Sequence, residues 1–379
     1  MNRCAVCGGC VQKVIDLGPT PIADRLDLTE THPLRFAVCT TCWLAQLLDF
    51  LPDETLYGPE YAFRTGASLS AVEYFAEYAR WATDLLPRRG FVVEVACNDG
   101  TLLRHFADAG HDTLGVDRSL GAATEARARD LKVWTTPFNR LVGELLRRDE
   151  GSADLVIANN VLAHVADPVD FLAGVAEVLA PRGKAVIEVQ YLGDLIAGNQ
   201  FDHIYHQHRF YFSVASLATL AAKVGLGVEQ VLHTTAQGGS IRVVLSKNSK
   251  GFSVPWEEGW LRRWPTFASF AARVHWIREL LRAVVAQERE AGRSVAGYAA
   301  AAKATTLLSF TGIDLDYIVD TTPNKIGKRL CGVPIVAEGK PDTFLLLAWN
   351  YLGGVLRRER AFLERGGRFI VPIPYPVVV

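Results

Sequence analysis

The chain contains 379 residues, 49% of them hydrophobic, and carries a formal net charge of -1. This balance argues against a general nucleic-acid-binding protein, which would carry an excess of Lys and Arg. Charged residues or glycine interrupt every apolar run before it reaches membrane-spanning length, and the first residues lack the pattern of a signal peptide. We therefore expect a soluble, cytoplasmic protein of two or three domains with no nucleic-acid or membrane partner.

Two Cys-x-x-Cys pairs, Cys4 with Cys7 and Cys39 with Cys42, begin the chain. Four thiolates match the tetrahedral coordination of Zn²⁺, and a site closed by four cysteines leaves no position for a substrate. The pattern therefore predicts a structural zinc ion, with Cys10 as a bystander. A redox Cys-x-x-Cys pair is the weaker alternative, because the two pairs would then be unrelated.

A segment rich in aromatic residues, 52–67, follows the cysteines and precedes a region of helical periodicity, 72–86. Pro87 and Gly90 end that predicted helix. The aromatic side chains serve either as packing or as a lid over a neighbouring site, and the sequence leaves both interpretations open.

The next stretch predicts a nucleoside-binding α/β unit. Residues 91–96 form a short apolar run typical of a buried parallel strand, residues 97–100 form a turn, and residues 114–117 form a second strand that ends in an acid. This order is typical of a site where backbone amides face the ligand and a carboxylate binds ribose hydroxyls. The dinucleotide pattern G-x-G-x-x-G is absent, and a turn rich in carboxylates favours a cationic nucleoside such as S-adenosylmethionine. An ordinary βα turn is the alternative.

Strands continue to alternate with a helix, at 154–158, 171–179 and 184–189, which predicts a parallel, doubly wound sheet. Polar residues follow the first of these strands. The candidate cofactor-binding residues are Glu94, Ala96, Asn98, Asp99, Gly100, Asp117, Asn159 and Asn160.

The stretch Phe201–Ser213 holds three histidines and two tyrosines within nine residues, shortly after a predicted strand. Ligands of open α/β sheets bind beyond the carboxyl ends of the strands, so we expect these side chains to face a ligand. Histidine transfers protons near neutral pH, and tyrosine can hold an oxygen atom. A buried aromatic segment is the alternative. A metal site is weaker still, because the histidine spacing matches no compact helical ligand set.

The C-terminal half predicts a second βαβ-like unit. A helix at 216–224 with Ser213 as N-cap leads to strands at 228–232 and 241–245, and a long helix spans about 265–291. Strand 295–298, a turn of small residues and Lys303 at a helix start suit a phosphate group. Further strands are predicted at 318–320, 344–348 and 369–373. A scaffold without ligand is the alternative, and Arg242 either meets an anion or is solvated.

These motifs together resemble the bacterial sugar C-methyltransferases that act on nucleotide-linked 4-keto-deoxyhexoses. The resemblance covers nearly the whole chain. It is carried by the two Cys-x-x-Cys pairs, E-V-A-C-N-D-G (94–100), the strand ending before Asn160 and His164, I-Y-H-Q-H-R-F-Y-F-S (204–213), G-G-S-I-R (238–242), and G-Y-A-A-A-A-K (297–303) with Trp349-Asn350. It implies an α/β fold with an N-terminal zinc-binding module and aromatic lid (1–66), a central Rossmann-like S-adenosylmethionine methyltransferase domain (67–247) and a C-terminal Rossmann-like α/β domain that holds the nucleotide sugar (248–379).

The resemblance implies methyl transfer from S-adenosylmethionine to the carbon beside the C4 ketone of a nucleotide-linked 4-keto-6-deoxyhexose, with dTDP as the expected nucleotide. The product would belong to deoxysugar biosynthesis for a natural product such as an antibiotic, or for a surface glycan. His208 is the expected base, and Tyr205 and His164 would orient or stabilise the enolate oxygen; the candidate catalytic residues are His208, Tyr205, His164 and Gln207. The candidate substrate-binding residues are Phe63, Arg64, Tyr191, His206, Arg242, Tyr298, Lys303, Asp320, Lys325, Trp349 and Asn350.

Four positions depart from the family pattern. Ala96 replaces a usual Gly, Gln207 a frequent Glu, Phe63 a frequent Tyr, and Gln237 a frequent His. Because Gln and Phe are neither acids nor bases, methylation of oxygen, nitrogen or a non-sugar carbon stays an alternative, as does a binding protein without turnover. The sequence does not determine the oligomeric state, although a monomer is favoured.

Overall fold

The computed structural model describes residues 3–57, 64–67, 69–86, 89–249 and 256–379. Its strands form one four-stranded sheet and two seven-stranded sheets, which agrees with the predicted α/β class. Phe63, predicted to bind substrate, lies outside the described residues. Within the described ranges, no helix has both the length and the apolar character needed to cross a membrane.

The first part of the chain contains three strands and one short helix: β1 (Val11–Pro21), β2 (Thr31–Cys39), β3 (Ala45–Leu47) and α1 (Asp53–Leu56). The central part contains α2 (Leu69–Thr83), β4 (Phe91–Val95), α3 (Leu103–Asp108), β5 (Asp112–Asp117), α4 (Leu120–Arg127), β6 (Val133–Thr135), α5 (Arg140–Asp149), β7 (Ala153–Asn159), α6 (Pro168–Val178), β8 (Leu179–Gln190), α7 (Leu192–Ala197), β9 (Phe210–Tyr211), α8 (Val214–Lys223), β10 (Gly227–Thr234) and β11 (Ser240–Ser246).

The last part contains α9 (Trp264–Glu290), β12 (Val295–Tyr298), α10 (Ala304–Thr311), β13 (Ile318–Val319), β14 (Arg329–Leu330), β15 (Val333–Val336), β16 (Thr343–Leu346), α11 (Leu352–Arg358), α12 (Arg360–Glu364), β17 (Arg368–Val371) and β18 (Val377–Val378). Short 3-10 turns lie at Thr65–Ala67, Phe201–His203, Ala236–Gly238, Trp256–Arg262 and Trp349–Tyr351.

The central sheet has the order β10-β11-β8-β7-β4-β5-β6. Strands β4 to β8 are mutually parallel, as predicted, whereas β10 and β11 add an antiparallel edge. The parallel strands are buried on both faces, which explains their nearly continuous apolar sequences. Their carboxyl ends share one edge of the sheet, where the β4–α3 turn and the loop after β7 lie.

The C-terminal sheet has the order β14-β15-β13-β12-β16-β17-β18. Its central strands β15, β13, β12, β16 and β17 are parallel. Helix α9 begins with a proline in its first turn and buries an apolar stripe at helical spacing. The buried positions of that stripe are Phe267, Phe270, Val274, Ile277, Leu281 and Val285.

The N-terminal sheet recruits a strand from far along the chain. Strands β1, β2 and β3 are antiparallel, and β9 forms the fourth strand through the pairs Ala45–Tyr211 and Gln46–Phe210. One apolar core joins Phe36 of β2, Phe201, Phe270 of α9 and Leu307 of α10. The segment 201–213, which we call the histidine segment, therefore lies where the three sheets meet. Each predicted unit contains one sheet, but β9 crosses from the central unit into the N-terminal sheet.

Candidate active site

The four N-terminal cysteines form a metal-binding cluster. Their sulfur atoms all lie within 4.8 Å of one another, close to the separation of about 3.8 Å that tetrahedral Zn–S bonds of about 2.3 Å produce. Backbone N–H groups of Gly9 and Thr41 point at Cys7 and Cys39 Sγ at 3.4 and 3.3 Å, which stabilises thiolates. These residues fit Zn²⁺, and Cys10 lies exposed outside the cluster.

The metal cluster is connected directly to the histidine segment. The Cys39–Cys42 pair lies between β2 and β3, and β3 pairs with β9. Leu47 also donates its backbone N–H to the Arg209 carbonyl at 3.0 Å. Folding of the cysteine loop therefore determines where the strand after His208 lies.

Backbone geometry shapes the turn between β4 and α3, residues 96–100, which we call the donor turn. Ala96, Asn98 and Gly100 have φ values of 60°, 52° and 76°, the left-handed region that favours glycine and, to a lesser degree, Asn. Ala96, where the family usually has Gly, therefore occupies a position that disfavours an Ala side chain. The Asn98 N–H donates to the Asp117 carboxylate at 2.9 Å, which joins the turn to the end of β5.

Buried acids line the same edge of the sheet. Glu94 is buried, and burial together with the charge of Asp117 raises its pKa well above its ordinary value. Burial also raises the pKa of Asp117. The Glu94 Oε2 and Asn159 Nδ2 atoms are buried and have no hydrogen-bond partner among the residues that the structure describes. Unpartnered buried polar atoms require a ligand or water. The Glu94 oxygen suits the ammonium group of S-adenosylmethionine, and the Asn159 amide N–H suits its carboxylate or a ribose oxygen.

The segment that precedes α2 covers the donor turn. The Thr65 N–H donates to Asn98 Oδ1 at 3.0 Å, and the Gly66 N–H donates to Asp99 Oδ2 at 2.9 Å. A Cβ atom at Gly66 would lie 2.8 Å from that same Asp99 oxygen, so only glycine permits this approach. Arg64 pairs with Glu125 at 2.8 Å, whereas the sequence predicts that it binds substrate. The lid alternative for 52–67 stays a prediction.

His208 and Tyr205 form a hydrogen-bonded pair at the centre of the histidine segment. His208 Nδ1 lies 2.9 Å from the His203 carbonyl, which can only accept, so Nδ1 carries the proton. The other nitrogen, Nε2, then accepts from the Tyr205 hydroxyl at 2.7 Å. Burial and the neighbouring His164 lower the pKa of His208 well below its ordinary value, so its neutral form dominates at neutral pH. Both side chains retain partial exposure, whereas Gln207 between them is buried.

His164 joins this pair from the loop after β7. Its ring lies 4.8 Å from the His208 ring in an edge-to-face arrangement, and Tyr57 Oη lies 3.4 Å from its Nδ1. Burial, followed by the charge of Arg209, lowers the pKa of His164 to about 4. The structure thus brings together His208, Tyr205 and His164, three of the four residues predicted to be catalytic.

Gln207 and His206 contact the N-terminal sheet region. Gln207 donates its side-chain N–H to the Ala23 carbonyl at 2.6 Å, and His206 Nε2 lies 3.3 Å from the Pro33 carbonyl. These contacts give both side chains a structural role in joining the two regions. The predicted substrate role of His206 stays a prediction.

Arg242 lies in a buried ionic and aromatic cluster. Its guanidinium donates to Glu188 Oε2 at 2.9 Å and to Tyr74 Oη at 2.9 Å, and it lies 3.9 Å from the centre of the Tyr78 ring. The anion expected beside Arg242 is therefore the carboxylate of this protein's own Glu188. The structure gives no support to a substrate phosphate there. Tyr191, another predicted substrate residue, packs at 5.9 Å against the His233 ring near the start of α7.

Lys303, Trp349 and Asn350 meet the histidine segment from the C-terminal sheet. The Trp349 indole N–H donates to Asp202 Oδ2 at 2.6 Å, and Lys303 Nζ lies 4.2 Å from the centre of the Trp349 ring and contacts Asn350 Oδ1. The His203 ring lies 5.6 Å from the Trp349 ring. These predicted substrate residues therefore lie beside the residues that precede His208.

Two of the other predicted substrate residues, Asp320 and Lys325, support the turn after β12. Asp320 accepts from the Ala300 N–H at 2.8 Å, and Lys325 donates to the Ala300 carbonyl at 2.7 Å. Tyr298 donates to Glu359 at 2.8 Å. Their roles towards a ligand stay predictions.

Sequence reasoning missed the polar residues that connect these parts. Asp53 of α1 binds Arg118, next to Asp117, at 2.5 Å and Arg209, next to His208, at 2.7 Å. Asp202 and His203 were part of the histidine segment but were given no role. Their position in or beside a motif could have indicated a role for Arg118, Arg209, Asp202 and His203. No neighbouring residue in the sequence indicates a role for Asp53.

Family models match three successive parts of the chain. A zinc binding domain model matches residues 4–57, a methyltransferase domain model matches residues 70–231, and a C-methyltransferase C-terminal domain model matches residues 235–374. The order agrees with the predicted order of units.

Curated relatives agree with these matches. The C-methyltransferase NovU of Streptomyces niveus is 36% identical over all of this chain and 97% of its own length. A ubiquinone biosynthesis O-methyltransferase of Caulobacter sp. (strain K31) is 31% identical over 30% of this chain and 46% of its own length. The structure of a magnesium protoporphyrin IX methyltransferase from Synechocystis PCC 6803 covers 46% of this chain and 77% of its own, with 15% identity and a TM-score of 0.35, too low to support an argument.

Proposed function

Since the chain belongs to the family of S-adenosylmethionine-dependent C-methyltransferases with an N-terminal zinc binding domain, we propose that it methylates the carbon beside the C4 ketone of a nucleotide-linked 4-keto-6-deoxyhexose. The expected nucleotide is dTDP, and the product would serve deoxysugar biosynthesis for a natural product or surface glycan. The observation that carries this proposal is the neutral His208 imidazole, with its Nε2 lone pair directed at Tyr205.

The donor turn and the ends of β4, β5 and β7 would hold S-adenosylmethionine. Asp117 would accept from its ribose hydroxyls, and Glu94 with Asn159 would meet its amino-acid end through the atoms that have no partner within the described protein. S-adenosylmethionine supplies the methyl group as an electrophilic sulfonium carbon. The protein supplies position, a base and charge stabilisation.

His208 would remove the proton from the carbon beside the ketone. Its Nδ1 proton is held by the His203 carbonyl, which leaves Nε2 as the basic atom. Because that Nε2 atom accepts from Tyr205 at 2.7 Å, the tyrosine hydroxyl must turn towards the substrate when His208 accepts the carbon-bound proton. The carbanion left on the substrate would then lie beside the methyl group that bound S-adenosylmethionine supplies; the new carbon–carbon bond would replace the methyl–sulfur bond, with S-adenosylhomocysteine as the leaving group.

Tyr205 and His164 would stabilise the enolate oxygen. A tyrosine hydroxyl released from His208 can donate to that oxygen, and preorganised donors of this kind commonly contribute roughly 10²–10³-fold in rate. His164 is neutral because its pKa is lowered to about 4, so its N–H can donate without adding a competing positive charge.

The experiment follows the methyl group. The protein is incubated with dTDP-4-keto-6-deoxyglucose and S-adenosylmethionine labelled with carbon-13 in its methyl group, and the product is analysed by NMR and mass spectrometry. A labelled methyl carbon coupled to a ring carbon at C3 or C5 is the expected result. A label attached to oxygen or nitrogen, or no turnover of any keto sugar despite binding of S-adenosylhomocysteine and thymidine diphosphate, would overturn the proposal.

A further inference from the structure

Three buried polar side chains surround the Trp349 indole at the join between the histidine segment and the C-terminal sheet. Asp202 accepts from the indole N–H at 2.6 Å, the His203 ring lies 5.6 Å from the indole, and Lys303 Nζ lies 4.2 Å from its centre. Their exposed fractions are 0%, 6% and 7%. Polar groups buried to this extent are normally fully hydrogen-bonded.

Two of these side chains have an atom without a partner. Asp202 Oδ1 and His203 Nε2 are both buried and make no hydrogen bond within the described protein. A carboxylate oxygen needs a donor, whereas a neutral imidazole nitrogen is either a donor or an acceptor according to its tautomer. A single group that satisfied both atoms would have to donate one hydrogen bond, to Asp202 Oδ1, and could accept another.

The charges around Trp349 argue against a phosphate at this position. Burial raises the pKa of Asp202 to about 6, so the carboxylate is predominantly ionised at neutral pH. Burial lowers the pKa of Lys303 to about 8, and the charge of Asp202 acts in the opposite direction to keep it protonated. The two charges therefore already compensate each other, and an added phosphate would be a second anion beside a buried carboxylate.

The same residues are connected to the expected base. The His203 carbonyl accepts the Nδ1 proton of His208 at 2.9 Å, so His203 contributes its side chain to the buried group and its backbone to the position of the base. A ligand atom beside His203 Nε2 would therefore contact the same residue whose backbone positions the expected base.

We propose that Asp202, His203 and Lys303 bind a hydroxyl group of the substrate's hexose. The hydroxyl donates to Asp202 Oδ1 and accepts from Lys303 or His203. This inference rests on the proposed nucleotide-sugar substrate, and it changes the expected role of Lys303 from phosphate binding to sugar binding. The C4 position is excluded because it carries the ketone.

Calorimetric titration in the presence of S-adenosylhomocysteine tests this site without requiring turnover. The probes are dTDP-glucose, which has hexose hydroxyls, and thymidine diphosphate, which has none. The variants are Asp202→Asn, whose side-chain carbonyl can still accept from Trp349, and Lys303→Met, on a different element. Asp108→Asn, which removes an exposed carboxylate of α3, is the matched control. Thermal unfolding and the affinity for S-adenosylhomocysteine are measured for every variant to check that it is folded.

Asp202→Asn should weaken dTDP-glucose binding about tenfold or more, because an amide N–H replaces the charged acceptor. Lys303→Met should weaken it in the same direction, while thymidine diphosphate affinity changes less than about twofold in both variants.

Three results would overturn the site. A large loss of thymidine diphosphate affinity in Lys303→Met with a gain in Asp202→Asn would identify a phosphate site. If Asp202→Asn weakened the binding of both probes equally, the group bound by Asp202 would belong to the nucleotide and not to the hexose. If dTDP-glucose binding were unchanged, Asp202 would bind no hexose hydroxyl. If the unmodified protein binds neither probe, the proposed function fails together with this site. If it binds the probes and only the variants depart from expectation, this site alone fails, so the two failures are distinguishable.

Discussion

The donor turn and the histidine segment are built from contacts of very different range. The Asn98 N–H meets Asp117 across 19 positions in the sequence. In the histidine segment, Gln207 meets Ala23 across 184 positions, and Asp202 meets Trp349 across 147. The donor turn is thus formed by consecutive elements of one sheet, whereas the histidine segment takes its position from three sheets.

The two regions should respond differently when a distant part of the chain unfolds. Contacts within one βαβ unit can persist when a distant part of the chain unfolds, because local opening occurs in contiguous cooperative units. The histidine segment loses partners whenever any of the three sheets is disturbed. We therefore expect variants that lose turnover but keep their affinity for the donor. The larger the loss of turnover at unchanged donor affinity, the more independent the two regions are.

Loss of the zinc cluster should cause the largest difference between the loss of turnover and the loss of donor affinity. Cys42→Ala removes one of four thiolates, and structural zinc binding contributes apparent free energies of about 10–16 kcal/mol to the folding of small zinc modules. We expect the variant to lose zinc and all detectable turnover, because β3 no longer positions β9. S-adenosylhomocysteine affinity should stay within a few fold, since the donor turn retains Asp117. Metal analysis, calorimetry and a turnover assay measure the three quantities.

Cys10→Ala is the matched control for that experiment. Cys10 is exposed and lies outside the cluster, so zinc content and turnover should equal those of the unmodified protein. Loss of S-adenosylhomocysteine binding in Cys42→Ala would show that the donor turn also depends on the N-terminal sheet and would remove the contrast between the regions.

His208→Ala should reduce turnover next most strongly. General base catalysis contributes about 10²–10⁴-fold, so kcat should fall by that factor while S-adenosylhomocysteine affinity remains unchanged. His275→Ala, at an exposed position of α9, is the control and should retain full turnover. Normal kcat in His208→Ala would remove His208 from the role of base.

Much of the donor turn was predictable because its signals are local. The apolar runs predicted β4, β5, β7 and β8, and the tight turn after β4 with an acid at the end of β5 predicted which side chains meet. The capping box of α8 also follows from residues three positions apart, Ser213 and Ser216. Periodicity and turn chemistry report such neighbours directly.

The surroundings of the histidine segment were less predictable because they depend on tertiary pairing. The sequence predicted the group of His208, Tyr205 and His164 through a motif, but nothing in it indicated that Phe210–Tyr211 would join the N-terminal sheet. Strands β1 to β3 were also missed, since β1 contains glycine and two prolines that weaken the strand signal. Arg242 was expected beside a substrate anion because its partner, Glu188, lies on another strand.

The pH dependence of turnover should separate the histidine segment from exposed histidines. An ordinary histidine gains a proton near pH 6.5, whereas the lowered pKa of His208 keeps its base form available at more acidic pH. We expect kcat at saturating substrate to be constant from pH 8 to below pH 6.5 and to fall only in more acidic buffer. A decline centred near pH 6.5 would contradict the buried, neutral imidazole.

Stability has to be measured in the same buffers. The folded-state pKa of His164 is about 4, and its unfolded value is about 6.5. Between these values the unfolded state binds the His164 proton more readily, so the stability that His164 contributes is fully present above about pH 6.5 and is lost as pH falls towards 4. Rates are therefore corrected for the folded fraction, obtained from urea unfolding at each pH.

Ala96→Gly should produce the smallest effect, and it should be confined to the donor turn. The left-handed conformation at φ 60° costs an L-residue about 1–2 kcal/mol, and the greater unfolded-state freedom of glycine offsets about 0.5–1 kcal/mol of the gain. We expect the free energy of unfolding to rise by about 0.5–1 kcal/mol, measured as a higher urea midpoint with an unchanged slope. Ala107→Gly, inside helix α3, should lower it by a similar amount. Equal destabilisation by both substitutions would show that the conformation of residue 96 stores no strain that glycine can relieve.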